Sequence, residues 1–295
     1  MVIKYKNLFI GFSIIITIAA VASMGVFGFK QGIDFVGGTF WQVRLPSSEA
    51  SAQILSEFLS AQNLENVLVR EGEVAGDFSI RTKELSEERH QEILQLMKSR
   101  FGSVEELSFA SIGPAIGKEL RSRSLLAFVL VLFGISLYIA FAFRKVSYPV
   151  SSWKYGFVTL ITLFHDALIP AGVFAYLGHT QGVEVDTNFI VAILVIMGFS
   201  VHDTIVVFDR IRERLLLAKN REDLGDVINA SIQQTFARSI NTSLTLVIVL
   251  VALYIFGAPS LQAFTLMILI GTVVGTYSSI FVASPLLTYL QKNGR

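Results

Sequence analysis

Residues 186–213 read DTNFIVAILVIMGFSVHDTIVVFDRIRE. Thr187 to Phe208 is almost wholly apolar and long enough to cross a ~30 Å hydrocarbon core, for which about 20 helical residues suffice. Inside that run stand His202 and Asp203, and charge returns at full density in Asp209-Arg210-Ile211-Arg212-Glu213. A carboxylate inside a span costs roughly 2.5–3.5 kcal/mol on insertion scales, so one that is retained is a candidate functional group. The stretch therefore predicts a membrane helix that handles protons. Helical spacing puts Phe199, Ser200, Val206, Val207 and Arg210 on the side of Asp203, which should face protein rather than lipid.

Composition agrees with a membrane class. The 295 residues are 53% hydrophobic and 16% charged, with a mean hydropathy of +0.61, well above soluble averages. The chain has no cysteine, which excludes disulfides, Cys-ligated zinc and a Cys nucleophile. A net charge of +1 gives no reason to expect a nucleic-acid partner. Nothing predicts an enzyme, a metal site or a cofactor.

Six runs of span length follow from the hydropathy. Residues 1–29 hold the N-terminus and a first span from Asn7 to Phe29, preceded by Lys4 and Lys6. Ala20-Val21-Ala22 resembles a signal-peptide cleavage site, but the apolar run continues beyond it, which favours a retained anchor. Residues 124–295 form a five-helix region, with spans near 124–143, 155–177, 187–208, 239–256 and 261–290. The last two are parted by Gly257-Ala258-Pro259-Ser260.

Between the first two spans, residues 30–123 carry eleven Lys/Arg and fourteen Asp/Glu, a soluble composition. Strand patterns at Thr39–Leu45, Val67–Arg70, Asp77–Arg81 and Val104–Phe109 alternate with helical patterns at Ser48–Gln62 and Ser86–Arg100. The order β-α-β-β-α-β is that of a ferredoxin-like module. His90 is expected on a charged helix face, solvated. The fold predicted is thus an α-helical polytopic membrane protein of six transmembrane helices with one extracytoplasmic α+β ferredoxin-like domain.

Orientation follows from the basic residues. Arg144, Lys145 and Lys154, the six Lys/Arg of residues 209–238, and Lys292 and Arg295 all fall on one side, while the 178–187 loop carries only Glu184 and Asp186 among charged residues. Basic loops stay inside, so both termini are predicted cytoplasmic and residues 30–123 extracytoplasmic.

Further polar residues join Asp203. Arg238 opens the fifth span in ARSINTSLT, with Asn241, Thr242 and Thr245 along its face, a stripe able to meet Asp203 or to line a wet path. On its own an arginine there is an ordinary anchor. Asp166, beside His165, lies deepest by position and is either a second proton site or a hydrogen-bonded structural group. His202 points about 100° away from Asp203 and is read as a packing residue. Gly271-Thr-Val-Val-Gly275 permits close helix approach. Gly32-Ile33-Asp34-Phe35-Val36-Gly37-Gly38-Thr39 implies tight backbone packing or positive φ at its glycines, with Asp34 tying down local amides. A phosphate-binding loop would need a following helix and a Lys, so nucleotide binding is rejected.

Taken together, GIDFVGGT (32–39), SIGPAIGKEL (111–120) and GFSVHDTIVVFDRIRE (198–213) followed by TFARSINTS (235–243) resemble the SecF family over essentially the whole chain. The resemblance implies a bacterial cytoplasmic-membrane subunit that works with SecD beside the protein-conducting channel SecYEG. It also implies use of the proton-motive force to draw preproteins outward, in a superfamily shared with resistance–nodulation–division transporters. In that family an aspartate of the fourth span and an arginine at the start of the fifth form the functional pair, which here are Asp203 and Arg238. Asp166 is then accessory, and the proton is the coupling ion. Other readings are a small-molecule exporter subunit of the same superfamily and an uncoupled scaffold. An intramembrane aspartyl protease would need Gly-x-Gly-Asp where Ser200-Val201-His202 precede Asp203.

Overall fold

A computed structural model describes residues 2–46, 50–72, 74–144, 150–218 and 222–291. Lys145, Lys219, Arg221, Lys292 and Arg295, used above for orientation, and Ser48 lie outside the described residues. The chain divides into two compact units, residues 31–125 and residues 1–30 with 126–295.

The smaller unit follows the alternation of its apolar residues. A short helix α2 (Ile33–Val36) precedes β1 (Gly38–Arg44), α3 (Ala52–Ala61), β2 (Leu68–Glu71), β3 (Asp77–Thr82), α4 (Glu87–Phe101) and β4 (Glu105–Ile112). The strands lie in the order β2-β3-β1-β4, all neighbours antiparallel, which is the ferredoxin-like arrangement. Period-2 spacing sends Trp41 and Val43 of β1 and Phe78 and Ile80 of β3 to one face. There they bury against Leu55 and Leu59 of α3 and Ile93 and Met97 of α4. α4 starts where Ser86 Oγ accepts the amide of Arg89 and stops where Gly102 takes a positive φ.

His90 is not solvated as its charged helix suggested; only 2% of it is exposed. Its ring stacks on Phe109 at 3.6 Å, and its Nε2 lies 2.7 Å from Glu106 Oε2, which also accepts from Trp41 Nε1. Its charged flanks, Glu88 and Glu92 among them, occupy the other face of the same helix and hide the burial of His90 in the sequence. On that exposed side, a hydrogen bond from Gln91 holds the Glu87 carboxyl below its ordinary range.

Gly37 and Gly38 both have positive φ, and each is closely packed. A Cβ at Gly37 would sit 2.8 Å from Pro114 Cα, and one at Gly38 would sit 2.8 Å from the Thr82 carbonyl oxygen. Gly32, as N-cap, offers its carbonyl to the amides of Phe35 and Val36, and Asp34 sits in the first turn of α2.

In the larger unit, α1 is Lys6–Phe27. It is accompanied by the distal part of α5 (Pro114–Ala142) and by α6 (Ser152–Thr180), α7 (Thr187–Ala218), α8 (Leu224–Phe256) and α9 (Pro259–Ser278). α9 passes through one π turn, Ser279–Ala283, into α10 (Ser284–Tyr289). Among the described residues, six helices are long and apolar enough to cross a membrane. Several extend past the apolar runs: α5 starts ten residues before Ser124, α7 runs ten past Phe208, and α8 starts at Leu224, fifteen before Ser239. Charge ends a span but not a helix. Ion pairs one turn apart, such as Arg210 with Glu213 at 2.5 Å, continue α7 into polar surroundings.

The third, fourth and sixth spans bury half or more of their hydrophobic windows, the other three less than a fifth. The central helices are therefore α6, α7 and α9. α1 lies along α6, where the missing side chain of Gly172 admits the Ala20 backbone and Ser23 Oγ donates to the Gly172 carbonyl at 2.7 Å.

One test concerns the double glycine. With Trp153 replaced by Phe, Trp41 emission reports the buried core of the smaller unit during urea unfolding. Gly38→Ala is expected to destabilise it by about 1–3 kcal/mol, the cost of strained backbone. An unchanged midpoint would contradict the tight packing assigned here.

Candidate functional site

The site forms where the three central spans meet. Along α7, Ala192, Ile196, Ser200, Asp203, Val207 and Ile211 recur every three or four residues and are all buried, so one stripe faces the other helices. α9 approaches that stripe through Gly271 and Gly275. A Cβ at Gly271 would lie 2.3 Å from the Ile196 side chain, and one at Gly275 would lie 3.1 Å from Ser200 Cβ. Only glycine permits two helix backbones to come so near here. The next turn of α9 then delivers Ser278 and Ser279 to the carboxylates.

Asp166, halfway along α6, is fully buried. Its Oδ2 accepts from Ser278 Oγ at 2.7 Å and from Ser200 Oγ, and His165 Nδ1 lies 2.8 Å from its Oδ1. Asp203, 5% exposed, accepts from Ser279 Oγ at 2.5 Å through Oδ2. Among the described residues neither carboxyl has a Lys or Arg partner. His165 Nε2 and Thr204 Oγ1 are buried beside them without a hydrogen-bond partner among the described residues.

The backbone is irregular at both ends of this network. Pro170 follows Asp166 by four residues and has no N–H to give to the Asp166 carbonyl, so α6 lacks one rung there. On the sixth span the π turn begins at Ser279, and the Ser284 hydroxyl donates to the Ser279 carbonyl at 2.9 Å. Such π turns concentrate at functional sites.

Asp203 and Arg238 make no hydrogen bond or ion pair with each other among the described residues. Arg238 is exposed, lies fourteen residues inside α8 where the apolar run begins, and makes no hydrogen bond or ion pair among the described residues. Asn241, Thr242 and Thr245 share its uncovered face. α8 instead turns Ser239 and Ser243 inward, and Thr276 Oγ1 of α9 donates to Ser243 Oγ at 2.6 Å. The phase of α8 is the reason: Ser239 and Ser243 are one turn apart and lie about 100° round from Arg238. His202 is exposed and directed away from Asp203. Ser200 lies on the side of Asp203 that helical spacing assigns it, whereas Ser243, Ser278 and Ser279 escape the sequence because single serines in apolar spans carry little weight. Their signal was spacing, a hydroxyl every three or four residues in Thr272, Thr276 and Ser279.

The family described as "Protein export membrane protein SecD/SecF, C-terminal" matches residues 92–293, and that described as "SecD/SecF GG Motif" matches residues 22–39. A protein translocase subunit SecF from Thermobaculum terrenum is 43% identical, the match covering 97% of this chain and 92% of that protein. One from Sebaldella termitidis is 36% identical, covering 98% and 91%. The crystal structure of SecDF from Thermus thermophilus, a translocon-associated membrane protein, superposes with a TM-score of 0.81 at 31% identity over 97% of this chain. The chain spans 38% of the length of that SecDF protein. These relatives are translocase subunits rather than members of a known enzyme class. With six apolar helices they make this a multi-pass protein of the bacterial inner membrane. The chain belongs to the SecF family of protein translocase subunits.

Proposed function

We propose that the chain, paired with a SecD-type subunit, uses the proton-motive force to promote export of preproteins through the SecYEG channel, with protons as the coupling ion. One observation carries this reading: two carboxyls are buried where three packed spans meet, held by serine hydroxyls and, at Asp166, by His165, with no Lys or Arg partner among the described residues. A buried, unpaired ionised carboxylate costs several kcal/mol, whereas its protonated form costs little, so the site changes charge only by exchanging a proton. A membrane potential of 100 mV supplies about 2.3 kcal/mol per charge moved, enough to bias a bistable packing though not to drive a large movement in one step. Asp203 is the coupling carboxyl and Asp166 its accessory. Arg238, uncovered on α8 with Asn241 and Thr242, is directed to the partner subunit. The α+β domain lies on the extracytoplasmic side, where it holds the emerging preprotein against backsliding. A shared chain for both subunits, as in the SecDF relative, supports this pairing.

Asp203→Asn is expected to abolish the gradient-dependent part of reporter preprotein export in proteoliposomes, at least ten-fold, while assembly with the SecD-type subunit persists. Asp166→Asn should lower it by a smaller factor. Gradient-dependent export unaltered in Asp203→Asn would sink the reading, and loss with Asp166→Asn alone would move the coupling carboxyl to the third span.

Orientation has its own test, made easy because the chain has no cysteine. Ser60→Cys, on the surface of α3, should react with an impermeant maleimide in intact spheroplasts. Leu217→Cys, exposed near the end of α7, should react only after permeabilisation. The reverse pattern would invert the topology.

A further inference from the structure

We infer that Ser279, and Ser278 beside it, are positioning residues that pass the protonation state of Asp203 and Asp166 to the backbone of the sixth span. The inference rests on the reading that Asp203 takes up and releases a proton.

A serine hydroxyl has one proton and two acceptor lone pairs. Ser279 Oγ lies between two acceptors, Asp203 Oδ2 at 2.5 Å and the Thr276 carbonyl oxygen at 3.0 Å. Ser278 Oγ is placed in the same way, 2.7 Å from Asp166 Oδ2 and 3.1 Å from the Gly275 carbonyl oxygen. Each hydroxyl can donate to only one of its two acceptors at a time. With the carboxylate ionised the charge claims the proton, because charge-assisted hydrogen bonds are about twice as strong as neutral ones. When Asp203 gains a proton, its own O–H donates to Ser279 Oγ. The Ser279 proton then turns to the Thr276 carbonyl. No bond other than the carboxyl O–H is made or broken, and on deprotonation the hydroxyl turns back.

The carbonyl that receives this proton is not an arbitrary one. Gly275 and Thr276 close the last α turn before the π turn at Ser279–Ala283, and Gly275 already accepts the Ser279 amide. A hydroxyl donating to a carbonyl one turn back competes with the helical ladder and bends helices. Protonation of Asp166 thus adds a second donor to the Gly275 carbonyl, and protonation of Asp203 turns a hydroxyl donor onto the Thr276 carbonyl, where α geometry gives way to π. Pro285, with no N–H for the Phe281 carbonyl, keeps the far side of the π turn short of a rung. The sixth span is thereby loosened on both sides of the π turn, and the serine proton biases it.

The titratable groups facing the two serines are Asp166 and His165 on α6 and Asp203 on α7. α8 meets this turn with Ser243, and α1 with Phe9 against Phe281 and with Lys6, whose ammonium donates to Thr288 Oγ1.

The test uses the full chain with its SecD-type partner in proteoliposomes. A nitroxide on Tyr289→Cys, beyond the π turn, reports movement of the sixth span. Infrared difference spectra on acidification, with Asp203→Asn for assignment, report the Asp203 carboxyl. The expected result is that Ser279→Ala keeps the carboxyl band and loses the nitroxide response, while Ser279→Thr keeps both. A full nitroxide response in Ser279→Ala overturns the inference and leaves the proton reading standing. Loss of the carboxyl band in Ser279→Ala also overturns it, since the serine would then set proton uptake rather than transmit it. Absence of the band from the parent chain overturns the proton reading itself. Should Ser279→Ala fail to assemble, Ser278→Ala read against the Asp166 band tests the same statement at the other serine.

Discussion

Everything at the centre of the membrane unit depends on how closely the sixth span approaches the fourth. Gly271 and Gly275 remove the side chains that would hold α9 off Ile196 and Ser200. Because lipid tails are as apolar as leucine, such contacts rest on packing and on interhelical hydrogen bonds rather than on the hydrophobic effect. Once the two backbones are that near, the next turn of α9 has little freedom: Ser278 and Ser279 must fall against α6 and α7. Asp166 and Asp203 thus receive their hydroxyls as a consequence of two glycines placed one and two turns away.

That arrangement solves one problem and leaves another. A polar group in the bilayer interior must be satisfied within the protein, and the serines supply hydrogen bonds without supplying charge. A neutral carboxyl is comfortable there and an ionised one is not. An arginine in direct contact would have held Asp203 ionised. Arg238 instead stays on the uncovered face of α8, where a neighbouring subunit can meet it. In the function proposed above, these two carboxyls are the groups that exchange protons, and the irregular backbone at Pro170 and at Ser279–Ala283 gives the helices somewhere to move.

Much of the fold could be read from residue patterns. Period-2 alternation at Trp41, Val43, Phe78 and Ile80 announced the sheet, Ser86 and Gly102 marked the ends of α4, and uncharged runs announced six spans. Helix lengths were less legible, because hydropathy records where lipid ends, while backbone hydrogen bonding continues through Lys118 to Arg123 and through Asp209 to Glu213. The burial of His90 was hidden by its charged neighbours in sequence, which point elsewhere. At the site, Asp166 and Asp203 stood out as lone carboxylates in apolar runs. Their partners did not, since a serine is common in spans and the meeting of Ser278 and Ser279 with α6 and α7 is set by helix phase and close approach. The same phase argument applies to Arg238: one residue along α8 separates the inward Ser239 from the outward arginine.

The central claim is that Asp203 itself takes up a proton within this hydroxyl-lined pocket. Proton uptake by the purified complex after an acid pH jump, counted with an indicator dye, tests it most directly. The account predicts that Asp203→Asn takes up about one proton fewer per chain than its parent across the working pH range. Equal uptake by the two proteins would contradict it.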